Sequence, residues 1–327
     1  MTARDLPPAR GYDGPTYYEQ PPVKASSYGA LVWGYTWLAG LAGSSQVIAT
    51  VADLLGRPAL QGLVRQGRAL AAWLPVIGAG MLVKDLHTPS RFQNMLRIFR
   101  PTSPMSIGTY VLSAFSVFSG LTSFAAASGR RKVAKVGQLP AAAAGAGMSV
   151  YTGALLGATS TPLWSAEPTL LTGRFAASAF ATGAAVLSLG ETARGHAGAA
   201  AALQRVCAVA VLVEHGFAHA AESRWREQGF ADTLDEPQIA AGRKASTQLG
   251  VWLPLACLVL NELAPRRSRT LTIVGAAGLL AGSLAMRATV FRAGNRSAQR
   301  PRDGFALTSA PAEPPARRRR VPQGGRP

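Results

Sequence analysis

The chain has only two cysteines and four histidines among its 327 residues. Four thiolates are the usual ligand set of an iron–sulfur cluster, and that set cannot be assembled from two. A dihaem membrane cytochrome needs four axial histidines at two depths, and three of the four here, His87, His215 and His219, fall at one depth. Cys207 and Cys257 both lie inside apolar runs, where a free cysteine behaves as a small buried hydrophobe. Charge is also scarce: 15% of residues are charged, against about 25% in ordinary globular chains. What charge there is leans one way, 34 basic against 16 acidic residues, net +18. Such a balance suits a nucleic-acid binder, but the distribution speaks against one. Lys and Arg cluster between long uncharged stretches and at the two ends, and only a bilayer requires repeated apolar runs of about 20 residues.

The uncharged stretches define eight candidate spans: Gly29–Leu54, Ala69–Val83, Met105–Ala127, Leu139–Ser160, Leu170–Leu189, Ala197–Ala221, Thr247–Leu263 and Leu271–Val290. Their length calls for helices, since a spanning strand needs only about 10 residues. The expected fold is all-α, a polytopic integral membrane bundle. Gly153 with Gly157, and Gly278 with Gly282, are four apart, the spacing that lets helices approach closely in lipid. Residues 1–27 read as a polar, Pro-rich tail without a cleavable leader, 28–293 as the membrane domain, and 294–327 as a Pro- and Arg-rich tail suited to anionic lipid. The region from Thr88 to Arg100 is expected to form one interfacial amphipathic helix, capped by Thr88, with Phe92, Met95, Leu96 and Phe99 on its apolar stripe. The connecting loops carry more Lys and Arg on the side away from the termini, which places the termini outside, while the Arg-rich C-terminal tail argues the reverse.

Ionisable side chains inside spans are costly and are functional candidates by default. Lys84, Asp85 and His87 end the second span, and Glu214, His215, His219 and Glu222 end the sixth, so all occupy the leaflet on the terminus side. Asp53, Glu191 and Glu262 face the other side. His215, His219 and Glu222 share a helix face; as a set they are interfacial residues, a proton relay or a metal site. Arg174 and Arg205 interrupt the fifth and sixth spans and call for bundle carboxylates or a polar cavity as partners.

Four segments carry a family likeness: residues 34–43 (GYTWLAGLAG), 52–57 (ADLLGR), 85–108 (DLHTPSRFQNMLRIFRPTSPMSIG) and 151–157 (YTGALLG). Through them the stretch from Tyr28 to Ser160 resembles the NrfD/polysulfide-reductase membrane-subunit family. The resemblance implies an eight-helix anchor in the cell inner (cytoplasmic) membrane, without haem or iron–sulfur cluster of its own. Such an anchor passes electrons between the quinone or menaquinone pool and a ferredoxin-like iron–sulfur subunit, which serves a catalytic oxidoreductase subunit. Family members carry polar quinone ligands at the start of the first helix; here that region offers Tyr28, Trp33 and Tyr35, with no His or Asn. A quinone head group needs hydrogen-bond partners for two carbonyls and a group that exchanges protons. Tyr151, Trp33, Tyr35, His215 and His219 are the candidates for binding it, and Asp85, His87 and Glu214 for proton exchange, in a site between the second, fourth and sixth helices. For Tyr151 the competing assignment is a packing residue, and for Asp85 a charge pair with Lys84 or Arg91. No metal and no nucleic acid is expected. A transporter or permease without redox chemistry is the rival, although no internal repeat of the kind such proteins often show is evident.

Overall fold

The computed structural model describes residues 23–86 and 88–308; the remainder of both tails, His87 and the side chain of Arg91 lie outside the described residues. Eight long helices carry the fold: α1 (Ala30–Leu54), α2 (Gln61–Asp85), α3 (Pro104–Ala127), α4 (Arg131–Gly157), α5 (Pro168–Ala193), α6 (Ala197–Glu227), α7 (237–263) and α8 (Arg269–Gln299). Each expected span falls on one of them. Their ends follow local chemistry. Ser103 and Ser268 cap α3 and α8 by accepting a backbone N–H, and proline opens α3 and α5. Gly56, Gly129, Gly195 and Gly229 stop α1, α3, α5 and α6 with φ of 66° to 93°, the left-handed turn that a residue with a Cβ disfavours.

Among the described residues six helices, α2 to α6 and α8, are long and apolar enough to cross a membrane by length and composition. Their outer faces expose Trp73, Leu121, Phe124 and Val209, a pattern that is stable only where lipid replaces water. The protein is a multi-pass membrane bundle. α1 is enclosed by protein: it packs on α2, α4, α5 and α8 and buries Ser44, Ser45, Gln46 and Thr50. α7 is broken by a π-helical turn at Gln248–Trp252. Pro254 follows, and its ring would clash with the carbonyl four residues back in a regular helix.

Packing divides the eight into two four-helix bundles. α1 to α4 close a ring through α1/α2, α2/α3, α3/α4 and α4/α1, and α5 to α8 close another through α5/α6, α6/α7, α7/α8 and α8/α5. α1 and α4 against α5, with α1 against α8, form the seam. The fully buried Trp164, on the short helix Pro162–Ala166, pins the seam by donating Nε1–H to the Val290 carbonyl (3.0 Å) and packing edge-on against Phe291. Both expected glycine pairs lie at crossings: Gly153 and Gly157 face the backbone of Thr172 and Pro168 on α5, while Gly278 and Gly282 face Leu249 and Gly250 on α7.

Two boundaries differ from expectation. The region from Thr88 to Arg100 is not one continuous helix. It is a 3₁₀ turn (Pro89–Arg91) and a single α-turn (Asn94–Arg97), followed by extended chain, and Thr88 makes no cap bond. The cause lies on α3: Tyr110 donates its hydroxyl to the Leu96 carbonyl (2.9 Å), and the Arg100 N–H donates to Ser106 Oγ (2.9 Å). Those two backbone groups would have bonded each other in a continued helix. The C-terminal tail begins later than residue 294, because α8 runs to Gln299 and a further short helix spans Pro301–Thr308. Polar partners hold this extension: Asn295 accepts from Ser26, Arg296 pairs with Glu236, and Thr233 donates to the buried Asp303, whose carboxyl burial pushes above its ordinary value.

Candidate functional site

Four helix ends of the first bundle surround a cavity of about 160 Å³ on the terminus side. α1 supplies Tyr28 (just before its first turn), Val32 and Tyr35; α2 supplies Leu82 and Asp85; α3 supplies Met105, Gly108 and Leu112; α4 supplies Met148, Tyr151 and Leu155. Met95 closes the mouth from the turn between α2 and α3. That turn is held in place by the Tyr110–Leu96 bond and by Phe99 packed edge-on against Tyr110 at 4.9 Å. Three of the residues singled out from sequence, Tyr35, Asp85 and Tyr151, therefore meet in one hollow.

Their settings are distinct. Tyr35 is buried. The Tyr151 hydroxyl donates to the Pro104 carbonyl at 3.1 Å, and its ring lies over Gly108, where any Cβ would overlap the phenol. Glycine at 108 is what admits the ring. Asp85 sits at the carbonyl end of α2, where the helix dipole opposes a carboxylate. It makes no ion pair among the described residues. The carboxylates at the opposite ends of the helices are all paired: Asp53 with Arg68 (3.1 Å), Glu191 with Arg194 (2.8 Å) and His196 (2.7 Å), and Glu262 with Arg205 (3.1 Å). An apolar-walled hollow with three phenols and one carboxylate that has no ion pair among the described residues can hold a flat amphiphilic ring, donate to its oxygens and exchange a proton.

The other candidates lie elsewhere. Trp33 packs at the edge of the seam cluster, and His87 lies outside the described residues. His215 and His219 line a second cavity, of about 130 Å³, with Arg174, Glu222, Arg243 and Thr289 from the other bundle. His215 also packs edge-on against Trp252 at 5.5 Å. Glu222 is bridged by Arg226 and Arg243. Glu214 is buried one turn deeper and faces Arg174, Arg287 and Ser178. The fully buried Arg287 donates to Ser283 Oγ (2.7 Å) and Ser178 Oγ (3.2 Å) and stacks over Phe175. The site expected between α2, α4 and α6 is thus split. α2 and α4 share a cavity with α1 and α3, while α6 belongs to the second bundle. Among the described residues no three His, Cys, Asp or Glu side chains gather as a metal site. Arg174 does line a cavity, as expected. Arg205 is exposed rather than deep, and its partner is Glu262 at the end of α7.

Met95, expected only on an apolar stripe, and Gly108 were not assigned to the site from the sequence. Both lie inside the 85–108 segment, and the signal for Gly108 was a glycine facing inward one turn into α3.

A family model described as polysulphide reductase, NrfD, matches residues 21–206, more than half of the chain. The match takes in the whole first bundle with its Tyr35–Asp85–Tyr151 cavity, α5 and the first turns of α6. A search of the curated proteins finds no match.

Proposed function

The chain belongs to the polysulphide reductase NrfD family of redox-complex membrane subunits, and from that premise we propose that it is a quinone-reactive anchor. It would exchange electrons between the quinone or menaquinone pool of the cytoplasmic membrane and a ferredoxin-like iron–sulfur partner, which serves a catalytic oxidoreductase subunit. The observation that carries this reading is the convergence of Tyr35, Asp85 and Tyr151 on one apolar-walled cavity. Quinol oxidation releases two electrons and two protons. Apolar walls from α1 to α4 exclude water and accept the ring, the Tyr151 phenol can turn from Pro104 to a substrate oxygen, and Asp85 at the mouth can pass a proton toward the surface. His215, His219 and Glu214 are assigned no contact with the substrate; they occupy the second bundle.

The test uses the assembled complex and a quinol analogue. Tyr151→Phe should lower kcat about tenfold, the value of one hydrogen bond, with subunit assembly intact. Asp85→Asn should lower it by about 10²-fold or more and flatten its pH dependence. Wild-type turnover in both assembled variants would place the reaction outside this cavity.

A further inference from the structure

At the far end of the first bundle from the Tyr35–Tyr151 cavity lies a larger hollow of about 630 Å³. Arg65 and Arg68 of α2, Arg131 and Lys135 of α4 and a single carboxylate, Asp53 of α1, stand on its wall. One oxygen of that carboxylate is engaged inside the protein. Arg68 Nη2 donates to Asp53 Oδ2 (3.1 Å) and to Gln138 Oε1 (2.7 Å), and Gln138 Nε2 donates to the same Asp53 oxygen (2.9 Å). Arg65, Arg131 and Lys135 are exposed and have no ion pair among the described residues. Arg68 is nine-tenths buried, and its Nε has no hydrogen-bond partner. Like charges held this close repel one another, and nothing within the fold compensates three of the four.

The surroundings indicate what does. Val51 and Leu54 on α1 and Val133 and Val136 on α4 are large, apolar and exposed, and they are interleaved in sequence with the residues that line the hollow. The surface therefore pairs a basic hollow with an apolar flank running toward the membrane interior. We propose that this hollow binds the phosphate of an anionic phospholipid headgroup, whose acyl chains lie along the exposed faces of α1 and α4. Guanidinium groups suit phosphate oxygens, and basic pockets between helices at a membrane surface are a recurring headgroup site. The apolar flank meets bilayer lipid in any case, and that places acyl chains within reach of the basic hollow.

The experiment measures binding of phosphatidylglycerol and of phosphatidylcholine to the purified full chain in detergent, by native mass spectrometry and by thermal unfolding. Phosphatidylglycerol should be retained and should raise Tm, with no response to phosphatidylcholine. Arg65→Gln/Arg131→Gln/Lys135→Gln should weaken phosphatidylglycerol binding roughly a hundredfold, each cation contributing about a fivefold factor. A charge-conserving Arg65→Lys/Arg131→Lys variant should retain most of it. Should the triple variant not fold, wild-type affinity should still fall as salt is raised. Equal retention of the two lipids, salt-independent binding or an unaffected folded triple variant would overturn the proposal. An equal Tm rise with inorganic phosphate alone would assign the hollow to a soluble anion instead. Binding of polyglutamate with no response to phosphatidylglycerol would assign it to an acidic protein surface.

Discussion

At the scale of single residues, the membrane domain places polar groups in two ways. Some are locked in closed networks, as Asp53, Arg68 and Gln138 are. Others are left with capacity facing a cavity, as Asp85 and Tyr151 are. Removing one member of such a network leaves a buried neighbour without its partner. Arg68→Ala should destabilise the protein by about 3–5 kcal/mol, because it leaves a buried carboxylate unpaired. The double variant Arg68→Met/Asp53→Leu should recover most of that loss. Thermal unfolding of both in detergent measures the difference, and equal midpoints would show that the pair is not a unit. Much of this polar inventory was legible in the sequence, since a charge inside an apolar run stands out, and its place along the run gives its depth. Depth is not direction, however. Asp85, His215 and His219 share a leaflet, yet they open into different bundles, and only helix packing decides that. The Arg205–Glu262 pair was hidden for a related reason: the two ends meet because α6 packs on α7, 57 residues apart in sequence.

At the scale of elements, α7 and α8 touch backbone to backbone where Gly282 meets Gly250 in the π-helical turn. A Cβ at 282 would run into the Gly250 amide, which is main chain and cannot rotate away. Gly282→Val should therefore lower stability by about 1–3 kcal/mol or more. Gly278→Ala should do less harm, because the nearest atom to its Cβ is the mobile end of the Leu253 side chain. Comparable losses in the two unfolding midpoints would contradict this account of the crossing. The link from α6 to α7 is fastened differently. Arg226 donates to both oxygens of Asp235 (2.9 and 2.7 Å), and these bonds hold the carboxyl below the usual carboxylate range. A lowered carboxyl pKa means the clasp is present at neutral pH and is lost only as pH falls through the ordinary carboxylate range and below it. Hydrogen-exchange protection in residues 228–236, relative to the unstructured rate at each pH, should be high at neutral pH and fall on acidification, and Asp235→Asn should be unprotected throughout. Equal exchange of variant and wild type at neutral pH would remove the clasp. The sequence showed α3 to α6 and α8 clearly because their apolar runs are long. It misjudged the 88–100 segment because its amphipathic spacing was real, while the α3 side chains that take its backbone bonds were not visible from spacing.

At the scale of the molecule, eight helices in two rings bring both described ends of the chain to one side, as the Ser26–Asn295 contact shows directly. Reporter fusions near residues 60, 132, 193 and 267 should all report one side of the membrane, and fusions near 95, 165 and 235 the other; a mixed result within either set would break the eight-crossing topology. The two-ring plan could not be read from the sequence, because the halves share helix count and composition without a visible repeat.

The burial of α1 has a consequence for biogenesis. A helix released from the translocon singly has only lipid and its own backbone to meet its polar groups, and α1 carries Ser44, Ser45, Gln46 and Thr50 along it. Ser44 donates within α1 to the Leu41 carbonyl (3.2 Å) and, more closely, to the carbonyl of Ala179 (2.7 Å), 135 residues downstream. At ribosomal speeds of about 5–20 residues per second, α1 leaves the ribosome on the order of ten seconds before that acceptor. Until α5 arrives Ser44 has only its own helix to bond, so α1 enters the membrane before the partner that fixes its place at the centre of the finished protein.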